Sequence, residues 1–155
     1  MGLNSETDRI EKSIVIKAPR ERVWNALATA ENFGAWFGAN LGGQTFEPGK
    51  RARGKISNCG HDNVWFDVIV ECIEPQNLFS FRWHPYPIDP SIDYTKEQPT
   101  LVTFTLKDAP DNCTLLTVVE SGFDNIPPDR RLEAFRMNSR GWDYQIENVV
   151  RYVIG

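Results

Sequence analysis

The sequence lacks the features that usually accompany metal, disulfide or nucleic-acid chemistry. Its three cysteines are odd in number and show no Cys-x-x-Cys spacing, which argues against a disulfide framework or a zinc site. The two histidines, His61 and His84, do not stand at the spacing of a zinc-ligand pair. The net charge is −4 and no basic stripe is present, which argues against a phosphate-backbone partner. We expect no metal, no cofactor and no nucleic-acid partner.

Long apolar runs and familiar catalytic motifs are also missing. No apolar run approaches the ~18 residues that span a membrane, and residues 1–6 are polar where a secretory signal needs an apolar core. We therefore expect no membrane insertion and a cytoplasmic location. The nucleophile-elbow, phosphate-loop, dinucleotide-binding and zinc-protease motifs are absent. Without such a motif the sequence favours a non-enzymatic role, and an enzymatic one stays open.

Alternation of apolar and polar residues predicts a sheet that occupies most of the chain. Period-two segments bounded by turn residues are typical of half-buried strands. The expected strands cover residues 10–17, 44–46, 50–56, 64–73, 78–83, 100–107 and 114–121. The polar residues 58–63 read as a hairpin loop, and the Pro-rich residues 84–99 as a long irregular loop at the rim of a binding site.

Three helices are expected, two directly after the first strand and one at the end of the chain. Pro19 suits the first turn of a helix, and Gly38 ends a second short helix over residues 31–37. The long helix, residues 129–153, has an apolar stripe of Leu132, Phe135, Met137, Trp142, Ile146, Val149, Val150 and Val153. This order predicts one α+β domain over residues 9–155, with residues 1–8 a frayed tail.

Bulky aromatic residues on the inner strand faces suggest a ligand cavity between the sheet and the last helix. The side chains expected to line it are Trp36, Phe66, Phe81, Trp83, Phe104, Met137 and Trp142. The same residues could instead fill a solid core. Cys72 is expected on the inner face of its strand as a small core residue.

Glu120 stands out because the alternation of its strand places a carboxylate on the inner face beside these aromatic residues. Burial would raise the pKa of Glu120 unless a cation or several N–H donors compensate. Three interpretations follow: a polar tether for a ligand, a general acid/base, or a structural carboxylate bonded to nearby donors. His84 or Tyr86 at the loop could assist the acid/base role.

Several segments together resemble a known superfamily. They are residues 14–27, 33–37, 70–83 and 116–123, with Gly141, Trp142 and Tyr152 in the last helix. As a set they resemble the START-like (SRPBCC) proteins and, among these, the family named for activators of the heat-shock-protein-ninety ATPase. The resemblance covers residues 10–154, and the polar residues 144–148 depart from the usual pattern.

The resemblance implies a helix-grip fold, in which a seven-stranded curved antiparallel sheet surrounds the C-terminal helix and encloses a cavity for lipid- or polyketide-like molecules. Relatives include cyclases, dehydratases and hydrolases as well as carriers, so the fold does not decide the chemistry. The first hypothesis is a binder of a small hydrophobic ligand. The others are a cyclase- or hydrolase-type enzyme that uses Glu120, and a chaperone-associated interaction module with a stress-response role. A homodimer is compatible with all three.

Overall fold

Six strands and three α-helices make up the described part of the chain. The computed structural model describes residues 8–56, 65–85 and 91–154. In chain order the elements are β1 (Arg9–Ile16), α1 (Arg20–Ala28), α2 (Ala30–Phe37), β2 (Arg51–Lys55), β3 (Trp65–Glu74), β4 (Leu78–Trp83), β5 (Thr100–Ala109), β6 (Cys113–Ser121) and α3 (Pro128–Ile154). Single 3₁₀ turns occur at Tyr94–Lys96 and Phe123–Asn125.

The strands form one antiparallel sheet in the order β1-β6-β5-β4-β3-β2. All five neighbouring pairs are antiparallel. The long helix α3 packs against β1 and against α1 and α2, and buried aromatic side chains fill the space between helix and sheet. The predicted α+β architecture, with two short helices after the first strand and a long C-terminal helix, is confirmed. In the residues described, however, the sheet has six strands and not the expected seven.

The missing strand is the one expected at residues 44–46. The Gln44 side chain takes the place of a strand there: its Nε2 donates to the Arg53 carbonyl at 2.7 Å, and its Oε1 accepts from the Arg53 N–H at 3.0 Å. A side-chain amide thus satisfies the outer edge of β2 in the way a neighbouring strand would. Phe46 is nevertheless buried, which explains why the segment has the apolar pattern of a strand.

A β-bulge in β3 overturns the expectation for Cys72. The pairing of β3 with β4 shifts between Val70, opposite Phe81, and Cys72, opposite Ser80. An extra residue in one strand exchanges the inward and outward positions of the residues that follow it. Ile73 therefore packs against the core, whereas Cys72 is half-buried with its thiol directed to Glu74. Cys72 is therefore not the core residue that strict alternation predicted.

The buried stripe of α3 differs in part from the predicted one. Its buried apolar residues are Ala134, Trp142, Ile146, Val149 and Val153. Leu132 is 46% exposed and Met137 is 39% exposed, because neither falls on the face that steps by four from Ala134 through Asn138 to Trp142. The prediction that Met137 points toward the sheet is wrong, and Asn138 occupies the inward position instead.

Asp8 also differs from its assignment to the terminal tail. Its side chain is buried, its carbonyl accepts from the N–H groups of Gly122 and Phe123, and its Oδ1 accepts from the Asp124 N–H at 3.0 Å. Residue 8 thus fastens the turn after β6; residues 1–7 lie outside the described residues.

The same ranges contain no helix long and apolar enough to cross a membrane. Within them we also find no group of three His, Cys, Asp or Glu side chains that could hold a metal ion.

Candidate functional site

Aromatic rings from α2, three strands and α3 form a continuous cluster between the sheet and the helix. Neighbouring ring centroids are separated by 4.5 Å for Phe33 and Trp36 and by up to 6.4 Å for Phe37 and Trp142. The cluster brings together six of the side chains expected to line a cavity: Trp36, Phe66, Phe81, Trp83, Phe104 and Trp142. Met137 is not among them.

Glu120 lies at one side of this cluster and is completely buried. Its Oε1 accepts from Trp142 Nε1 at 2.8 Å and from Asn138 Nδ2 at 2.9 Å. Its Oε2 accepts from Trp83 Nε1 at 2.7 Å and from Thr100 Oγ1 at 2.5 Å. The four donors come from β4, β5 and α3, so the carboxylate joins the sheet to the helix. Each oxygen already has two donors, which uses the acceptor capacity of a carboxylate.

No cation is among the hydrogen-bond partners of Glu120 that the structure describes. Burial raises the pKa of Glu120, and the hydrogen bonds from Thr100, Trp83, Trp142 and Asn138 oppose that rise. The network can also accept a proton. Thr100 Oγ1 lies 3.5 Å from the Trp83 carbonyl, so a protonated Glu120 could donate to Thr100, and Thr100 in turn to that carbonyl.

A cleft of about 640 Å³ opens between α2 and α3, on the side of the sheet where β2 ends. It is lined by Ala35, Trp36, Phe37, Gly38, Ile56, Tyr144, Gln145, Asn148, Arg151 and Tyr152. Phe37 belongs to both features, because it lines the cleft and its ring centroid is 5.1 Å from that of Phe66 and 6.0 Å from that of Trp83. The cleft therefore borders the aromatic cluster at Phe37.

Three polar side chains of α3, Gln145, Asn148 and Arg151, have a defined place in this cleft. Gln145 Nε2 donates to the Phe37 carbonyl at 3.0 Å, and Asn148 Nδ2 donates to Gln145 Oε1 at 3.0 Å. Arg151 Nη2 donates to Asn148 Oδ1 at 2.5 Å. These side chains follow each other at three-residue intervals along one face of α3. They form a polar wall and fix α3 to the end of α2.

The loop between β4 and β5 is attached to α3 at the other end of the molecule. Arg130 Nη2 donates to Glu97 Oε1 at 2.6 Å and to the Pro85 carbonyl at 3.0 Å. The pair is largely buried, and the guanidinium lies 4.7 Å from the Tyr94 ring centroid. Burial lowers the pKa of His84 at the start of this loop, although nearby Glu97 opposes the effect. His84 is not among the described hydrogen-bond partners of Glu120. His61 and Tyr86 lie outside the described residues.

Sequence reasoning did not assign Thr100 or Asn138 to the Glu120 site, and it did not predict the cleft between α2 and α3. A signal existed for Asn138, because it stands four residues before Trp142 and so shares its helix face. For Thr100 the signal was its register opposite Trp83, which is readable only once the strand pairing is known.

Comparisons with known proteins agree on the family and the fold. A model of the family described as "Activator of Hsp90 ATPase homolog 1-like protein" matches residues 17–153. A comparison with curated protein sequences gives no match.

Solved structures similar to this chain include MLL2253 from Mesorhizobium loti, at 25% identity and a TM-score of 0.70, with 94% of this chain and 96% of that chain covered. DynU16, a protein of the dynemicin biosynthetic locus, is 23% identical with a TM-score of 0.70. The match covers 94% of this chain and 47% of DynU16, so this chain spans about half of the length of DynU16. The Aha1 dimer from Colwellia psychrerythraea is 17% identical with a TM-score of 0.62, with 94% and 95% covered. The last two likenesses concern the fold alone.

Proposed function

This chain belongs to the family of activator of Hsp90 ATPase homolog 1-like proteins, and on that premise we propose that it binds a small, largely apolar molecule in the cleft between α2 and α3. The observation that carries the proposal is the position of Phe37. Phe37 lines the cleft, and its ring contacts the buried aromatic cluster. A ligand in the cleft would therefore lie against aromatic surface that is continuous with the protein interior.

The size and lining of the cleft support this function. Its volume of about 640 Å³ falls in the usual range of ligand sites, roughly 300–1,000 Å³. Phe37 and the largely buried Trp36 line the cleft, and the Trp36 indole N–H is already bonded to the Ala26 carbonyl at 2.8 Å. That bond fixes the Trp36 ring before any ligand arrives, which reduces the entropy lost on binding.

Glu120 takes a positioning role in this proposal. A ligand tether or a general acid/base must reach the ligand, but the Glu120 carboxylate is fully enclosed and both its oxygens are occupied by protein donors. We assign to it the task of holding α3 at the distance from the sheet that the cleft requires. Binding without turnover is the simplest function consistent with this arrangement.

The expected affinity from apolar contact alone is modest. Burial of about 200 Å² of ligand surface at ~25 cal/mol per Å² gives roughly 5 kcal/mol before ordering costs. That free energy corresponds to a dissociation constant of about 0.1–1 mM. A simple aromatic probe should therefore bind weakly and reversibly.

The test is a titration of the full chain with 2-naphthylmethanol, a neutral aromatic probe, followed by amide chemical shifts in two-dimensional NMR. We expect saturable shifts in residues 35–38 and 144–152, with a dissociation constant of about 0.1–1 mM. Ala35→Phe should fill the cleft from an exposed position of α2 and weaken binding at least about tenfold.

Leu132→Phe is the matched control, because it adds an aromatic ring at an exposed site on α3 that does not line the cleft. It should leave the affinity unchanged. The proposal fails if the probe produces no saturable shifts, or if Ala35→Phe and Leu132→Phe bind it equally well.

A further inference from the structure

The polar wall of the cleft, Gln145, Asn148 and Arg151, has more hydrogen-bond donors than acceptors left for a ligand. Each side-chain amide nitrogen has two N–H groups. One N–H of Gln145 donates to the Phe37 carbonyl, and one of Asn148 donates to Gln145. Arg151 has five N–H groups, of which one donates to Asn148. The remaining acceptor capacity is confined to lone pairs on the two amide oxygens. The wall therefore favours a ligand group that accepts hydrogen bonds.

The charge of the residues that line the cleft also favours a ligand group that accepts hydrogen bonds. Arg151 is the one ionised side chain among the described residues that line the cleft. Its neighbour Glu147 approaches it only to 3.8 Å, and both side chains are more than 60% exposed, at 61% and 64%. An exposed ion pair of this kind is weak and readily yields to a better-placed anion.

We propose that the ligand of this cleft is an aromatic or otherwise flat apolar anion, with its carboxylate or similar group held by Arg151 and Asn148. The apolar body then lies on Phe37 and Trp36, and the anionic group faces the open end of the wall. This inference rests on the proposed function and names its ligand class. The aromatic side of the cleft matches the apolar body of such a molecule, and the polar wall matches its anionic group.

A charge-assisted contact also raises an affinity that apolar burial alone leaves low. Hydrogen bonds to an ionised group are about twice as strong as neutral ones, and an Arg–carboxylate pair adds directional specificity. We expect the anion to bind about tenfold more tightly than a neutral molecule of the same ring size.

The experiment compares two probes with the same ring system, 2-naphthoate and 2-naphthylmethanol, by the same NMR titration of the full chain. Wild-type protein should bind 2-naphthoate about tenfold more tightly. Arg151→Gln should remove that preference, so that the variant binds 2-naphthoate and 2-naphthylmethanol about equally well. Arg140→Gln is the control: it removes the same charge from an exposed position of α3, about 16 Å along the helix from Arg151, and should keep the preference.

The outcomes separate the two proposals. Absence of binding by both probes overturns the proposed function together with this inference. Binding of the neutral probe with no gain for 2-naphthoate overturns the inference alone. An equal loss of preference in Arg140→Gln and Arg151→Gln also overturns it, because the effect would then be one of overall charge.

Discussion

The indole rings of Trp83 and Trp142 lie 5.7 Å apart and nearly parallel, at 28°, and their N–H groups donate to different oxygens of the Glu120 carboxylate. Trp83 ends β4, and Trp142 lies in the middle of α3. One carboxylate therefore connects the sheet to the helix through two stacked rings. Since α3 also provides the polar wall of the cleft, this connection fixes the geometry of the proposed binding site.

Replacement of Trp142 by Phe should destabilise the protein by about 1.5–3 kcal/mol, the usual range for a lost hydrogen bond to a charged group. The change keeps an aromatic ring in the core but leaves Glu120 Oε1 with only Asn138 as a donor. The measurement is the free energy of unfolding from urea denaturation at pH 7.

Trp24→Phe provides the control for ring size. Trp24 is also buried, on α1, and is not among the described hydrogen-bond donors to Glu120. If Trp24→Phe costs as much as Trp142→Phe, the loss comes from ring volume and the hydrogen bond to Glu120 contributes little.

The surroundings of Glu120 could be predicted in part from local sequence pattern, whereas the cleft between α2 and α3 could not. Alternation along residues 114–121 placed Glu120 on the inner face, and the structure buries it there. Aromatic residues at the predicted inward strand positions, such as Phe66, Phe81 and Phe104, are buried and pack together, while their role in a ligand cavity stays a prediction. These predictions succeed because a strand that keeps its pleat also keeps the same residues on one face.

The predictions that failed concern segments where the alternation of apolar and polar residues is interrupted, or where an apolar residue lies outside the element or face expected for it. A bulge after Val70 moved Cys72 off the inner face, and such an inserted residue leaves no mark in an apolar run. Residues 44–46 were expected to form a strand, but only Phe46 is buried there and the Gln44 side chain satisfies the edge of β2. Met137 was included in the predicted site because it is hydrophobic, but helix geometry places Asn138 and not Met137 on the face that contacts Glu120.

Two glycines should respond in opposite directions to replacement by Ala. A Cβ on Gly54 in β2 would lie 2.0 Å from the Asn40 carbonyl oxygen. The backbone would have to move, so Gly54→Ala should cost at least about 2 kcal/mol of stability. Gly141 lies inside α3, and a methyl group added there would meet no neighbouring group within 4 Å. Gly141→Ala should therefore add about 0.5–1 kcal/mol, because Ala favours the helix.

Urea denaturation of both variants checks this prediction, and each serves as the control for the other. An equal loss in the two would mean that Gly141 has a packing or binding role that its open surroundings do not reveal. A Gly54→Ala variant as stable as wild type would mean that Asn40 can move away from β2 at little cost.

The free energy of unfolding should depend on pH through Glu120. Burial raises the pKa of Glu120 above its ordinary value of 4.5, so the native state holds this proton more tightly than the unfolded state. The corresponding stability is fully present below pH of about 4.5 and is lost as the pH rises through the native pKa. Each pH unit in that window should remove at most about 1.4 kcal/mol. The measurement is urea denaturation at a series of pH values between about 4 and 8 for wild type and Glu120→Gln.

Glu120→Gln cannot titrate, so the difference between wild type and this variant isolates the contribution of Glu120. We expect the stability of wild type relative to the variant to fall as the pH rises above about 4.5, and to level off once Glu120 is ionised in the native state. Glu31→Gln gives the effect of removing one exposed carboxylate for comparison. The opposite slope, with wild type gaining on Glu120→Gln as the pH rises, would mean that the four hydrogen bonds outweigh burial. Glu120 would then be a carboxylate that its donors hold ionised down to low pH, and the donation from a protonated Glu120 through Thr100 to the Trp83 carbonyl would have no role.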